Sequence, residues 1–335
     1  MVTGADNKRA SQYVVFIVEV MYIAILRSQT GTAPRPATCV MTHLTILTPT
    51  WNRRQTLARL YESLVSQDLP SGCFEWLVVD DGSTDGTAGY IEMLSRSAPF
   101  PIRVIVQDNG GKHRALNRGA REVSSAWMLV LDSDDWMLPS GVRDALDQIK
   151  TFDDQAETLA IVSPRVFANR PPPSYPEQTG PMDYATWRAK YFKSDFSMLA
   201  RTTVIRNHPF PEFDGERFIA ESAVYARAFA HGGLRLSSAG IMGAEYQRDG
   251  LSSKSLNNRI TSPLGAMYTY RCQLDAGMGG ILRARSWLNY HRFFWHARAG
   301  GAISRSERPF GGRFWRPAGW VLYSVDRFVL RGQRR

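Results

Sequence analysis

Met128-Leu129-Val130-Leu131-Asp132-Ser133-Asp134-Asp135-Trp136 is the stretch on which the reading of this chain turns. Four apolar residues in a row predict a strand buried on both faces. Three carboxylates follow within four positions. Acids at the end of a buried parallel strand lie in the crevice where open α/β sheets hold ligands. Carboxylates that close repel one another unless a cation, usually divalent, sits among them. Taken alone, the tetrapeptide reads equally as a solvated acidic turn or as a metal site, and its neighbours decide.

Working back from it, Lys112 to Glu122 predicts a helix, and Ile102 to Val106 a strand that ends in Asp108-Asn109-Gly110-Gly111. Phe74 to Val79 predicts another strand, which ends in Asp80-Asp81-Gly82-Ser83-Thr84-Asp85. Asp85 is placed to cap a helix through about Leu94. Leu57, Leu60, Leu64 and Val65 recur at helical spacing between about Gln55 and Gln67. Leu44 to Thr48 is the first strand, stopped by Pro49 and followed by Thr50-Trp51-Asn52-Arg53-Arg54. The alternation β-α-β-α-β-α-β predicts a doubly wound, mostly parallel α/β sheet flanked by helices. Three successive strand ends deliver amides and acids to one edge. Neither a P-loop lysine motif nor a Gly-x-Gly-x-x-Gly turn follows the first strand, which argues against ordinary NTPases and dinucleotide dehydrogenases.

The 335 residues suffice for one large α/β domain with an appendage. The chain is 44% hydrophobic and 21% charged, which excludes a disordered protein. Cys39, Cys73 and Cys272 lack metal-like spacing and predict free thiols in a reducing compartment. The net charge of +10 is carried by the tail, because Ile281 to Arg335 holds twelve arginines against Glu307 and Asp326. Tyr13 to Leu26 is too short to cross a bilayer and is interrupted by Glu19. Residues 1–40 read as a signal peptide or, as we favour, as a non-native or poorly ordered leader ahead of a true start at Met41.

The motifs together resemble a family 2 glycosyltransferase of the GT-A fold. The residues that carry the resemblance are Leu47-Thr48-Pro49-Thr50-Trp51-Asn52-Arg53, Val78-Val79-Asp80-Asp81-Gly82-Ser83-Thr84-Asp85, Asn109-Gly110-Gly111-Lys112 with Ala115-Leu116-Asn117-Arg118-Gly119, and Leu131-Asp132-Ser133-Asp134-Asp135. Order and spacing agree over about residues 44–150. The resemblance implies inverting transfer of a sugar from a nucleoside diphosphate donor, expected to be a UDP-sugar. It implies that Thr48, Pro49, Thr50, Asn52 and Arg53 line the nucleoside pocket. Asp80 is implied to receive the base, with Asp81 or Asp85 nearby and Lys112 close to the nucleotide. Asp132 is implied to hold the ribose beside Ser133, and Asp134 to ligate Mg²⁺ or Mn²⁺ on the diphosphate. A hard cation held by oxygen ligands neutralises the charge that develops on a leaving diphosphate. His113 reads as a phosphate donor or, better, as a helix-surface histidine.

Inverting transfer also needs a base for the acceptor hydroxyl. The family places a Glu-Asp pair at a helix start; here it reads Glu221-Ser222. Glu221 is the expected base, Glu216 and Asp214 are the fallbacks, and the missing acid leaves open a donor-binding protein without catalysis. A sugar nucleotidyltransferase is disfavoured by the glycine-free loop after the first strand. Asn169 to Pro176 is a proline-rich loop expected near the acceptor. Phe210-Pro211-Glu212 through Glu221, with Tyr246 to Ser252, resembles bacterial enzymes of surface-polysaccharide or glycolipid assembly, and Arg248 could fork onto phosphate. The Gln-x-x-Arg-Trp motif of processive synthases is absent. We therefore read residues 41–255 as the GT-A domain and 256–335 as a basic, aromatic helical extension. That extension either lies on an anionic membrane surface, suiting a lipid-linked or glycan acceptor, or packs its aromatics on the catalytic domain. No recognition motif supports nucleic-acid binding. The expected location is cytoplasmic, peripheral at the inner face of the membrane.

Overall fold

The computed structural model describes residues 44–167, 175, 180–191, 195–245, 255–304 and 306–332. The leader, most of the proline-rich run, and Tyr246–Ser252 with Arg248 lie outside them. Nine strands run as β1 Leu44–Thr50, β2 Phe74–Asp80, β3 Ile102–Val106, β4 Trp127–Val130, β5 Trp136–Met137, β6 Ala160–Phe167, β7 Phe196–Arg201, β8 Leu234–Leu236 and β9 Met242–Ala244. The helices of the catalytic body are α1 Arg54–Val65, α2 Thr87–Ser95, α3 Lys112–Glu122, α4 Gly141–Phe152, α5 Tyr184–Tyr191, α6 Thr202–Asn207 and α7 Ser222–Ala228. After them come α8 Ser255–Thr261, α9 Pro263–Asp275, α10 Gly280–Ala299 and α11 Arg316–Gly332.

The sheet begins in the order β3-β2-β1-β4, all parallel. Next to β4 the direction reverses at β7, and β6 follows, antiparallel to β7. The β1 and β2 strands are buried along their whole length, as near-continuous apolar runs covered by helices on both faces must be. Leu57, Leu60 and Leu64 of α1 pack on one face with Ile91 and Ile149. Leu116 and Ala120 of α3 pack on the other with Val224 of α7. Thr50 stands opposite Asp80, and Asp80 opposite Val106, so the three polar strand ends share one edge.

Pro49 does not stop β1, contrary to the sequence expectation. Alternate residues of a parallel strand face alternate neighbours, and Leu47 O accepts from Leu131 N on the β4 side. Pro49 faces that same side, beyond the paired end of β4, so its missing N–H is not needed. Two glycines in α3 and its approach are required by close contacts. Gly111 has φ of 97°, and a Cβ there would lie 2.1 Å from Arg217 O. A Cβ on Gly119 would lie 2.4 Å from Leu47 Cδ1, so the bare glycine lets α3 seat on β1 with Leu47 where it stands.

Cys73 is disulfide-bonded, which corrects the expectation of free thiols at that position, whereas Cys272 is free and buried. Cys272 and Leu282 join the core beneath the sheet, so the helical extension is packed on the catalytic body. In α10, Phe293 and Phe294 are buried and Phe293 stacks on Tyr270. Asp326 of α11 accepts from Arg292 Nε at 2.7 Å and pairs with His296 Nε2 at 2.9 Å, fastening α11 to α10. The outer side of α11 is uncovered: Trp320, Val321, Val325, Phe328 and Val329 are exposed, as is Phe314 just before it.

Candidate active site

Most of the polar residues at the donor edge hold its loops together. Asn52 has φ of 51°, a left-handed conformation that asparagine tolerates. Its N–H donates to Ser83 Oγ at 2.8 Å, and its Oδ1 accepts from Thr84 N at 2.8 Å. Asp80, buried at the end of β2, accepts through Oδ1 from Ser83 N at 3.0 Å and Ser83 Oγ at 2.5 Å. Asp81 accepts through Oδ1 from Gln107 Nε2 at 2.7 Å and Gly110 N at 2.9 Å. Its Oδ2 accepts from Gly111 N at 2.7 Å and Asn109 Nδ2 at 3.1 Å.

Three residues expected at the donor are bonded within the protein. Thr48 is fully buried, and its hydroxyl accepts from Trp76 Nε1 at 2.9 Å. Asp81 is saturated by the Gln107–Gly111 loop. Asp85 accepts from Arg54 N at 3.1 Å and from Thr87 N at 3.1 Å, capping the first residues of α1 and α2 together. Burial would raise the Asp85 carboxyl, but hydrogen bonds from Thr87 and Arg54 hold it below the usual range. Pro49 and Thr50 are buried at the strand end, Ser133 is buried in the acid turn, and Arg53 lies half-buried beside Asp134.

The acid turn is a mutually coupled group. Asp135 N donates to Asp132 O at 3.0 Å, closing it. Arg59 Nη2 of α1 donates to Asp134 O at 2.6 Å, and its guanidinium lies 4.3 Å from the Trp136 ring centroid. Arg165 of β6 pairs with Asp135 at 3.1 Å. Lys112 Nζ, at the start of α3, sits 2.6 Å from Asp132 Oδ1 and 2.6 Å from Glu221 Oε1. Burial opposes the charge on Lys112, but Asp132 and Glu221 outweigh it and hold the ammonium above the usual lysine range. Burial would likewise raise Asp132, but Lys112 and Arg165 hold it down. Asp134 is raised by burial and by the Asp132 charge. Asp135 is pushed up to about 7 by burial, with Asp132 and Asp134 adding to it against Arg165.

Glu221 precedes α7, and its Oε2 accepts from Tyr225 OH at 3.1 Å. Glu216 is no rival base: its two oxygens accept from Leu264 N and Gly265 N at 2.7 Å each, capping α9. Asp214 is exposed. Ser222, where the second acid was expected, accepts from Gln273 Nε2 at 3.3 Å and so ties α7 to α9. His113 is buried against Phe210 and not on the helix surface; burial, then Arg114, lowers it to about 4, so it stays neutral and is no cationic phosphate donor. Sequence reasoning missed Arg165, Arg59 and Tyr225. An arginine inside the apolar run Ala160 to Phe167 was the available signal, since a buried cation needs an acid.

Among the described residues no group of three or more His, Cys, Asp or Glu side chains could hold a metal. The donor set still suits a magnesium-like ion, which is usually held by one or two carboxylates plus substrate phosphates. Asp134 would supply a hard oxygen ligand, and a cation would relieve it of like-charge repulsion from Asp132.

A parallel half-sheet continued by reversed strands, with acids at its carboxyl edge and a carboxylate facing them across a cleft, defines the GT-A class. Residues 45–210 match Glycosyl transferase family 2, and the chain belongs to that family. It is 27% identical over 175 residues to the poly(ribitol-phosphate) β-N-acetylglucosaminyltransferase TarS of Staphylococcus aureus strain MW2, covering 51% of this chain and 30% of TarS. The crystal structure of S. aureus TarS 1-349 in complex with UDP-GlcNAc superposes with a TM-score of 0.55 at 20% identity, covering 79% of this chain and 74% of that one. The mannosyltransferase PcManGT from Pyrobaculum calidifontis, in complex with GDP-Man and Mn²⁺, superposes at 0.50 and 16% identity, covering 96% and 90%. At these identities the structural likeness is one of fold.

Proposed function

We propose that this protein transfers a sugar from a nucleoside diphosphate sugar to a hydroxyl acceptor with inversion at the anomeric carbon. The observation that carries the reading is Lys112, whose ammonium bridges Asp132 of the donor edge and Glu221 of the opposite wall at 2.6 Å each. Folding thus brings a donor acid and a candidate base, 89 positions apart in sequence, onto one cation. Asn52, Asp80 and Asp132 line the approach to a nucleoside, and the complex of TarS with UDP-GlcNAc supports a UDP-sugar. Asp134 would hold Mg²⁺ or Mn²⁺, which when bound neutralises charge on the diphosphate. Glu221 accepts the acceptor's hydroxyl proton as its oxygen bonds to the anomeric carbon and the bond to the diphosphate breaks. Tyr225 keeps the Glu221 carboxylate oriented toward the cleft.

The acceptor belongs to the glycans or glycolipids of the cell surface in this reading, reached from the cytoplasmic face. No helix among the described residues is long and apolar enough to cross a membrane. The uncovered side of α11 supports peripheral contact instead, with Phe314 86% and Phe328 80% exposed next to Arg313, Arg316 and Arg327. Arginines near an anionic leaflet contribute about 1 kcal/mol each.

The test is transfer from UDP-sugars to glycolipid acceptors with and without EDTA. Activity that falls with EDTA and returns with Mn²⁺ is expected. Full activity without metal would remove the role given to Asp134.

A further inference from the structure

Behind Glu221 lies a cavity of about 350 Å³. Met128 of β4, Met198 and Ala200 of β7 and Val224 of α7 line it, and none of the four exposes more than 6% of its surface. Glu221 is among its lining residues. Its wall also includes the exposed Arg121 and Arg206, so the space reaches the surface. Arg206 is fixed as a rim by donating to Ala120 O at 3.2 Å and Val123 O at 2.5 Å.

Several polar groups on this wall are matched within the protein. Asn117 exchanges two hydrogen bonds of 2.9 Å with the backbone of Phe210. His208 Nδ1 is 2.8 Å from Val204 O. Along the stretch lined by Met128, Met198, Ala200 and Val224 a polar ligand would lose its hydration without a partner, whereas an apolar one would not. An apolar cavity of roughly 150 Å³ stays dry and takes up benzene. This one is more than twice as large, so it has room for an apolar group well beyond benzene. The acid among its lining residues is Glu221, held by Lys112 and Tyr225 and assigned to the acceptor's proton.

We propose that the cavity is an acceptor subsite for an alkyl or prenyl segment attached close to the hydroxyl that receives the sugar. The proposal rests on Glu221 serving as the base. It names the acceptor class: an amphiphile whose hydroxyl meets Glu221 while its hydrocarbon fills the space between α3, α7 and the sheet.

Calorimetry on the full chain tests it, with methyl, n-decyl and geranyl β-D-glucosides as probes below their micelle concentrations and UDP as a parallel titrant. At least tenfold tighter binding of a long-chain glucoside than of the methyl glucoside is expected. Decyl and geranyl arms separate a straight chain from an isoprenoid. Ala200→Trp and, separately, Val224→Phe should fill the cavity and bring the long-chain probe to the level of the methyl one, with UDP binding unchanged. Equal binding of methyl and long-chain probes overturns the proposal, as does a folded filling variant that keeps the preference. If neither variant folds, a decyl glucoside with a terminal diazirine must label peptides holding Met198 or Val224 in the wild type; labelling only elsewhere overturns it. Loss of the long-chain preference with UDP binding intact sinks this proposal alone. Absent UDP binding with the preference intact sinks the nucleotide-sugar reading instead.

Discussion

The two walls of the cleft are built on opposite principles. On the donor wall nearly every polar side chain is bonded to a loop backbone: Asp81 alone accepts from Gln107, Asn109, Gly110 and Gly111. On the acceptor wall Glu221 has Lys112 and Tyr225 as partners, and behind it is unfilled apolar space. One wall is rigid and pre-formed. The other holds its carboxylate through the Lys112 ammonium and the Tyr225 hydroxyl. A pre-formed wall suits the constant part of a sugar nucleotide, whereas a roomy wall suits an acceptor that varies.

The largest expected effect lies on the acceptor wall. Glu221→Gln keeps the size of the side chain and removes the proposed base, so transfer should fall by about 10²–10⁴. UDP binding should stay within about twofold, because the donor wall is untouched. Transfer at wild-type rate in this variant would show that the walls do not divide the labour in this way. The donor wall should answer through stability. Asp81→Ala strands the N–H groups of Gly110 and Gly111, and unpaired buried donors cost about 1–3 kcal/mol each. Differential scanning calorimetry should show melting lowered by about 5–10 °C. If instead melting is unchanged and only UDP affinity drops, Asp81 is a ligand contact and the donor wall is less pre-formed than its bonds suggest.

Much of the donor wall was legible because strand ends announce themselves. Apolar runs such as Phe74 to Val79 stop in acids, and that pattern places Asp80, Asp132 and Asp134 on one edge. What the pattern does not tell apart is a polar side chain aimed at ligand from one aimed at backbone. Thr48, Asp81 and Asp85 are expected at the donor; in the structure the threonine hydroxyl satisfies the Trp76 indole, and the two aspartates satisfy loop and helix N–H groups. Both uses need the same acceptor oxygens. The acceptor wall was less legible still. Arg165 gives no spacing signal, since its partner Asp135 lies in another strand-end loop 30 positions away. The cavity beside Glu221 is made of ordinary core residues from β4, β7, α3 and α7, and only their three-dimensional arrangement leaves space between them.

The smallest expected effect concerns His113, whose neighbours come from both walls. It sits one residue after Lys112, edge-on to Phe210 at 6.2 Å. Burial, then the Arg114 charge, lowers it from 6.5 to about 4, while Glu212 and Asp81 pull weakly the other way. A base whose folded pKa is depressed binds fewer protons folded than unfolded between those two values. Stability from this group is therefore full above pH 6.5 and is lost as pH falls toward 4. Denaturant melts of the wild type and His113→Gln at pH 7.5 and pH 5 measure the difference. The wild type should lose more stability between the two than the variant, which has no proton to take up. Equal losses would mean that His113 is hydrated, and that the packing of α3 against the Phe210 segment is looser than its buried ring implies.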